Sequence, residues 1–151
     1  MTREEITAFV AAQVPDMKPG VNKQFPEVIV TAAQIHELAK TLKSHPDIKF
    51  DYLFNETAAD RKDGFHMIYH ITSSVYGHSI MVKVILSDKA NPIIPTVSDV
   101  WKAAEFYERE IFDLFGIKFE NHPDLRRIFL EDDWVGYPLR KDYKDSFTIE
   151  R

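Results

Sequence analysis

The stretch Phe65–Leu86, FHMIYHITSSVYGHSIMVKVIL, decides the fold. Phe65, Met67, Tyr69 and Ile71 alternate with His66, Ile68, His70 and Thr72, and beyond Tyr76-Gly77 the residues Ile80, Val82 and Val84 alternate with Met81, Lys83 and Ile85. A period of two belongs to strands, whose successive side chains point to opposite faces. Phe65–Ser73 and His78–Leu86 therefore read as an antiparallel hairpin with one packed, apolar face. Upstream, Asp63-Gly64 marks a second hairpin turn, and Lys49–Phe54 reads as the strand before it.

Further upstream the period becomes helical. Thr31 caps a helix whose stripe is Ile35, Leu38, Ala39 and Leu42, and which ends before His45-Pro46 because the residue before proline is pushed out of the α region. Glu27–Thr31 is a short strand rich in β-branched residues, and Pro19-Gly20 reads as a turn. Thr2 caps a first helix that carries Ile6, Phe9 and Val10 and runs to about Gln13, before Pro15. Downstream, Asn91–Pro95 reads as an extended connector fixed by prolines. A long helix at about 98–115 follows, capped by Ser98 and ended by Gly116. The expected fold is α+β: a mainly antiparallel sheet of about four strands, helices packed on one face, and an extended C-terminal tail. The expected organisation is one domain over residues 1–130 and a partner-binding tail over 131–151.

Composition narrows the function. A chain of 151 residues is long enough for one hydrophobic core. Its net charge of -5 argues against a nucleic-acid binder, which presents a basic face to phosphates. The absence of cysteine excludes thiolate zinc sites, cysteine nucleophiles and cysteine-ligated iron–sulfur clusters on this chain. No apolar run reaches the ~18 residues of a membrane span, so membrane association is expected only through partners.

The long helix holds most of the chemistry. Val100, Ala104, Tyr107, Ile111, Leu114 and Phe115 share one arc and form its core side. Glu105, Arg109 and Asp113 follow one another at i, i+4 on the other side and read as an exposed ion ladder. Glu108 falls inside the apolar arc, where a carboxylate needs a cation or several donors. The expected partner is an arginine from the downstream segment, among Arg126, Arg127 and Arg140, with Lys141 beside them.

Other constellations fail. His66 and His70 have the spacing of a helical zinc pair, but on a strand they stand roughly 13 Å apart. Glu108 and Glu110 point about 200° apart on a helix and cannot share an ion. No dinucleotide, phosphate-loop or serine-hydrolase fingerprint occurs. After the turn at His122-Pro123-Asp124 the chain becomes charged and aromatic without a regular period. Trp134, Tyr137, Leu139 and Tyr143 are costly to leave in water, which fits a segment ordered by a partner.

The motif EREIFDLFGIKFENHPDLRRIFLEDDWVGYPLRKDY, from Glu108 to Tyr143, resembles the signature of the thirty-kilodalton (C) subunit family of respiratory complex I, NADH:quinone oxidoreductase. The resemblance extends upstream through FDYLFNETAAD, the YHITS strand and IIPTVSDVW, about two-thirds of the chain. Positions matching the family pattern are Glu108, Arg109, Glu110 and Asp113; His122, Pro123, Asp124, Leu125, Arg126 and Arg127; and Gly136, Pro138, Leu139, Arg140, Lys141 and Asp142. Asn121, Tyr137 and Lys144 depart from it, standing where glycine, histidine and proline are common.

The resemblance implies a non-catalytic structural subunit of the peripheral arm, on the cytoplasmic side of the plasma (inner) membrane. It implies no cofactor and no metal on this chain, with NADH, FMN, iron–sulfur clusters and quinone in partner subunits. The implied partners are the large quinone-site subunit, of the forty-nine-kilodalton type, and the adjacent iron–sulfur subunits. Glu108, Arg109, Glu110, Asp113, His122, Asp124, Arg126, Arg127, Trp134, Arg140, Lys141 and Asp142 are the expected packing and interface residues. Related subunits serve plastoquinone-linked complexes and ion-pumping membrane hydrogenases. The competing reading is a free-standing enzyme using Glu108 or a histidine as acid, base or ligand.

Overall fold

A computed structural model describes residues 1–144 of the chain. Its elements in order are α1 (Arg3–Gln13), β1 (Lys18–Pro19), β2 (Glu27–Val30), α2 (Ala32–Ser44), β3 (Tyr52–Arg61), β4 (Gly64–Thr72), β5 (Ser79–Leu86), β6 (Ile93–Pro95), α3 (Ala104–Phe115) and β7 (Lys118–Glu120). The fold is α+β. A five-stranded sheet runs β1-β2-β5-β4-β3, and β6 pairs with β7 apart from it.

The alternation of the central hairpin becomes one wall of the core. Phe65, Met67, Tyr69 and Ile71 pair across the sheet with Leu86, Val84, Val82 and Ile80, and all eight are buried. Their neighbours on the other face, such as His66, Ile68 and His70, are half-buried. The stripe Ile35, Leu38, Ala39 and Leu42 closes on the same core as Val28 and Val30 of β2 and Ile6 and Val10 of α1. Thr2 and Glu5 cap α1 reciprocally, and Thr31 and Gln34 do so for α2.

Within the mainly antiparallel sheet expected, four expectations need correction and one pairing is new. Pro19 belongs to a strand: Lys18 and Pro19 pair antiparallel with Ile29 and Val28, so the sheet has five strands. β2 pairs with β5 in parallel, a relation that requires α2 to carry the chain across the sheet. The strand expected at 49–54 lies at 52–61, because Lys49 turns the chain at φ 40 and Asn55–Arg61 pairs with β4 despite its polar sequence. The connector at 91–95 contains β6, which lies parallel to β7. Finally, α3 starts at Ala104 and Ser98 does not cap it. Residues 98–103 instead form turns that bring Trp101 inward, where its indole N–H donates to the Phe50 carbonyl at 2.9 Å. Gly116 ends α3 as expected, in the left-handed conformation at φ 76.

Candidate functional site

The chain returns over α3 after β7, and this return organises the charged residues. Asp113 is fully buried at 0% exposure. It accepts from the Arg127 guanidinium at 3.0 Å and from the backbone N–H groups of Ile128, Phe129 and Leu130 at 3.3, 2.8 and 3.1 Å. Burial pushes its carboxyl up, but the Phe129 N–H, the Arg127 guanidinium and the other two N–H groups outweigh that and hold it below the usual range. Three consecutive N–H groups aimed at one carboxylate make an anion nest.

Arg127 continues the link outward. Its guanidinium also donates to the carbonyls of Asp113 (2.9 Å), Trp134 (3.0 Å) and Gly136 (2.9 Å), and lies 5.0 Å from the centre of the Tyr137 ring. Tyr137 rests on Gly116, where an added Cβ would come within 2.6 Å of its ring. Arg109 donates to the Arg126 and Arg127 carbonyls at 3.3 and 3.2 Å. The expected exposed ladder is therefore wrong for Arg109 and Asp113: both are buried by the returning segment, which an isolated helical projection does not contain.

The tail is fastened further along. The Leu139 N–H donates to the Leu114 carbonyl at 2.9 Å, and the Lys141 N–H to the Asp60 carboxylate at 2.9 Å. Arg140 chelates Asp142 at 2.9 and 3.0 Å, donates to the Lys89 carbonyl at 3.0 Å, and lies over Phe65. His122 donates through Nε2 to the Glu105 carbonyl at 2.9 Å, because its Nδ1 already accepts from the Asp124 N–H at 3.0 Å. Asp124 and Arg126 pair on the surface, while Glu110 is half-buried and the Trp134 side chain is exposed. The part of the expected tail at 145–151 lies outside the described residues.

Held from below, this segment turns apolar side chains outward. Phe129 and Val135 are 66% and 88% exposed, with Leu139, Ile128 and, on α3, Phe106 also open to solvent.

Glu108 is fully buried, as expected, but its partner is not an arginine. It accepts from the Thr96 hydroxyl and from the Val97 N–H at 3.1 Å. Arg126, Arg127 and Arg140 bind elsewhere, since the return meets α3 at Arg109 and Asp113. The neighbour of Glu108 is a second acid, Glu56 of β3, which is 1% exposed and interacts with it electrostatically. Burial raises Glu108 to about 7, against the Thr96, Glu56 and Val97 contacts that lower it. Burial, then repulsion from Glu108, raises Glu56 well above the carboxylate range. Sequence reasoning missed Glu56, Asp60 and Thr96. A strand register for 52–61 was the signal that could have turned both acids inward. Among the described residues no group of three or more histidines and acids is placed to hold a metal ion.

Residues 28–147 match the family described as respiratory-chain NADH dehydrogenase, 30 Kd subunit. The chain belongs to this family. It is 36% identical over 142 residues to the C subunit of NADH-quinone oxidoreductase from Roseiflexus castenholzii, covering 91% of this chain and 81% of that protein. It is 43% identical over 120 residues to the C/D subunit of NADH-quinone oxidoreductase from Phocaeicola vulgatus, covering 79% of this chain and only 23% of that longer protein. A solved chain of the membrane-bound sulfane sulfur reductase, an archaeal respiratory membrane complex, superimposes with a TM-score of 0.78 at 31% identity, over 93% of this chain and 85% of that one. Members of the family are subunits of multisubunit respiratory complexes, so other subunits are their partners. No helix among the described residues is long and apolar enough to cross a membrane.

Proposed function

We propose that this member of the thirty-kilodalton subunit family is a non-catalytic structural and assembly subunit in the peripheral arm of an NADH:quinone oxidoreductase. It supports electron transfer from NADH to quinone coupled to ion translocation. The observation that carries the reading is the segment 125–142, bolted to α3 through Asp113, Arg127 and Arg109 while Phe129, Val135 and Leu139 face solvent. A rigid backbone presenting exposed apolar anchors is what a docking surface requires, because little side-chain and loop entropy remains to be lost on binding.

The partner proposed for this surface is the large quinone-site subunit, of the forty-nine-kilodalton type, with iron–sulfur subunits adjacent. Relatives named as a C/D subunit carry a second subunit's designation in one longer chain, which supports an intimate neighbour of this kind. NADH, FMN, iron–sulfur clusters and quinone are assigned to partners, and the chain to the cytoplasmic side of the plasma membrane as a peripheral component. The likeness to a chain of the sulfane sulfur reductase supports a second reading, the equivalent subunit of a related respiratory or hydrogenase-type membrane complex. The companions encoded by neighbouring genes distinguish the two.

Co-expression with the large quinone-site subunit tests the docking role. The double variant Phe129→Asp/Val135→Asp should lower co-purification at least tenfold with the melting temperature of the isolated chain unchanged. Undiminished co-purification, stoichiometric bound metal or flavin, or turnover by the isolated chain would overturn it.

A further inference from the structure

The middle of α3 covers chemistry that docking does not use. Glu56 of β3, Tyr69 of β4 and Glu108 of α3 are each 1% exposed or less and interact electrostatically in the interior. The Tyr69 hydroxyl has no hydrogen-bond partner, and neither Glu56 oxygen receives a donor; the one polar contact of Glu56 is with the Glu108 carboxyl, which a proton on one of them would bridge. Glu108 receives the Thr96 hydroxyl and the Val97 N–H, and faces Glu56. The cations Arg109, Arg126, Arg127, Arg140, Lys43 and Lys89 are all held by other groups. Two adjacent carboxylates without a cation, out of water, repel each other and lose their hydration, so retaining a proton is the low-energy solution. A protonated Glu56 also gains an O–H to donate.

We propose that Glu56 and Glu108 form a buried proton-binding carboxyl pair that exchanges its proton with solvent through the Thr96 hydroxyl. Thr96 is placed for this. Its hydroxyl lies between Glu108 and Ser98, the latter at 2.7 Å, and the residue lines a cleft of about 500 Å³ with His36, Asp99 and Asn121. A hydroxyl has one proton to give. It donates to Glu108 when that group is ionised, and is released toward Ser98 when Glu108 is itself an acid. The surrounding titratable groups are Tyr69 from β4, Tyr107 from α3, whose hydroxyl is bound to the Phe54 carbonyl, and Asp99, which is held by His36 at 2.7 Å and repels charge on Glu108. Asp99 disfavours charge on Glu108, while Tyr69 and Tyr107, raised above their ordinary value, stay neutral and add no charge.

The sign follows from linkage. Folded-state values of both acids are raised, so their stabilising effect is fully present below about 4.5 and is lost as pH rises, through about 7 for Glu108. In that window the unfolding equilibrium constant should grow by a factor approaching ten per pH unit for each retained proton.

Infrared titration of the full chain in D2O tests the pair directly. A protonated carboxylic acid carbonyl band should survive at pH 6, fall as pH passes about 7, and be missing from Glu56→Gln/Glu108→Gln. Thr96→Val removes the donor to the ionised form, so in that variant the band should persist to higher pH. If the double variant does not fold, the wild-type and Thr96→Val titrations carry the test. No acid band at pH 6 overturns the pair, as does stabilisation at pH 8 by Na+ or K+ over tetramethylammonium, which would mean a bound cation. An unmoved Thr96→Val titration overturns the Thr96 hydrogen bond to the ionised pair, and an unchanged rate of acid-band loss after a pH jump from 6 to 8 in Thr96→Val overturns the exchange route.

Discussion

Glu108 and Asp113 sit on the same helix and are equally inaccessible, yet the fold treats them in opposite ways. Asp113 is given one guanidinium and three backbone N–H groups, enough donors to replace its water, and its charge is favoured. Glu108 is given one hydroxyl, one N–H and a second acid, and its charge is disfavoured. Burial sets the cost of a charge, and donors decide whether the charge survives. At the end of α3 a carboxylate anchors the docking segment. At its middle, an acid closes the core.

Substitutions can break the contrast. Asp113→Ala should have the largest effect, about 3–5 kcal/mol by urea denaturation, because it removes at once the counter-charge of the half-buried Arg127 and the acceptor of three N–H groups. A loss below about 1 kcal/mol would show that water replaces the carboxylate. Arg127→Gln should cost about 2–3 kcal/mol, less because the nest N–H groups still hold Asp113. It should also speed cleavage within residues 131–142 in limited proteolysis, since the Trp134 and Gly136 carbonyls lose their donor.

The pH dependence sharpens the same comparison with opposite signs. Asp113, with its lowered folded value, contributes stability that is present above about 3.8 and is lost as pH falls through that lowered value. Glu56 and Glu108 contribute stability that is lost as pH rises. The melting temperature should therefore fall on both sides of a mildly acidic optimum, with limbs of up to about 1.4 kcal/mol per pH unit per proton. Asp113→Asn should make the acid limb shallower, with Glu27 and Asp60 still contributing to it, and leave the alkaline limb unchanged. Glu108→Gln at pH 8 should lie within about 1 kcal/mol of wild type, because the amide replaces a group whose charge the site opposes. Asp124→Ala should have the smallest effect, about 0.2–1 kcal/mol, since its pair with Arg126 is exposed.

Much of the scaffold was legible. The alternation of Phe65–Ile71 against Ile80–Val84, the stripe Ile35–Leu42, the Thr2 and Thr31 caps and the Gly116 terminus each follow from local spacing or backbone preference. The polar run of β3 hid its own strand. A register shift between Leu53 and Asn55 then turned Glu56, opposite Tyr69, toward the core. For the same reason the sequence points Glu108 toward arginines downstream, whereas its neighbour Glu56 lies upstream on a strand that ends further along than expected. Arg109 and Asp113 read as surface because i, i+4 spacing describes one helix in water, with nothing laid across it.

The sequence by itself determined the period of α1, α2, α3 and the central hairpin, the burial of Glu108 and the family to which the chain belongs, because these depend on residue type at short separation. Only the tertiary structure decided that β2 lies parallel to β5, that Arg127 serves Asp113, and that Glu108 faces another acid. Those outcomes depend on which distant segments share a surface. The physics of a buried charge is settled by all of its neighbours at once, and a linear sequence shows only the nearest of them.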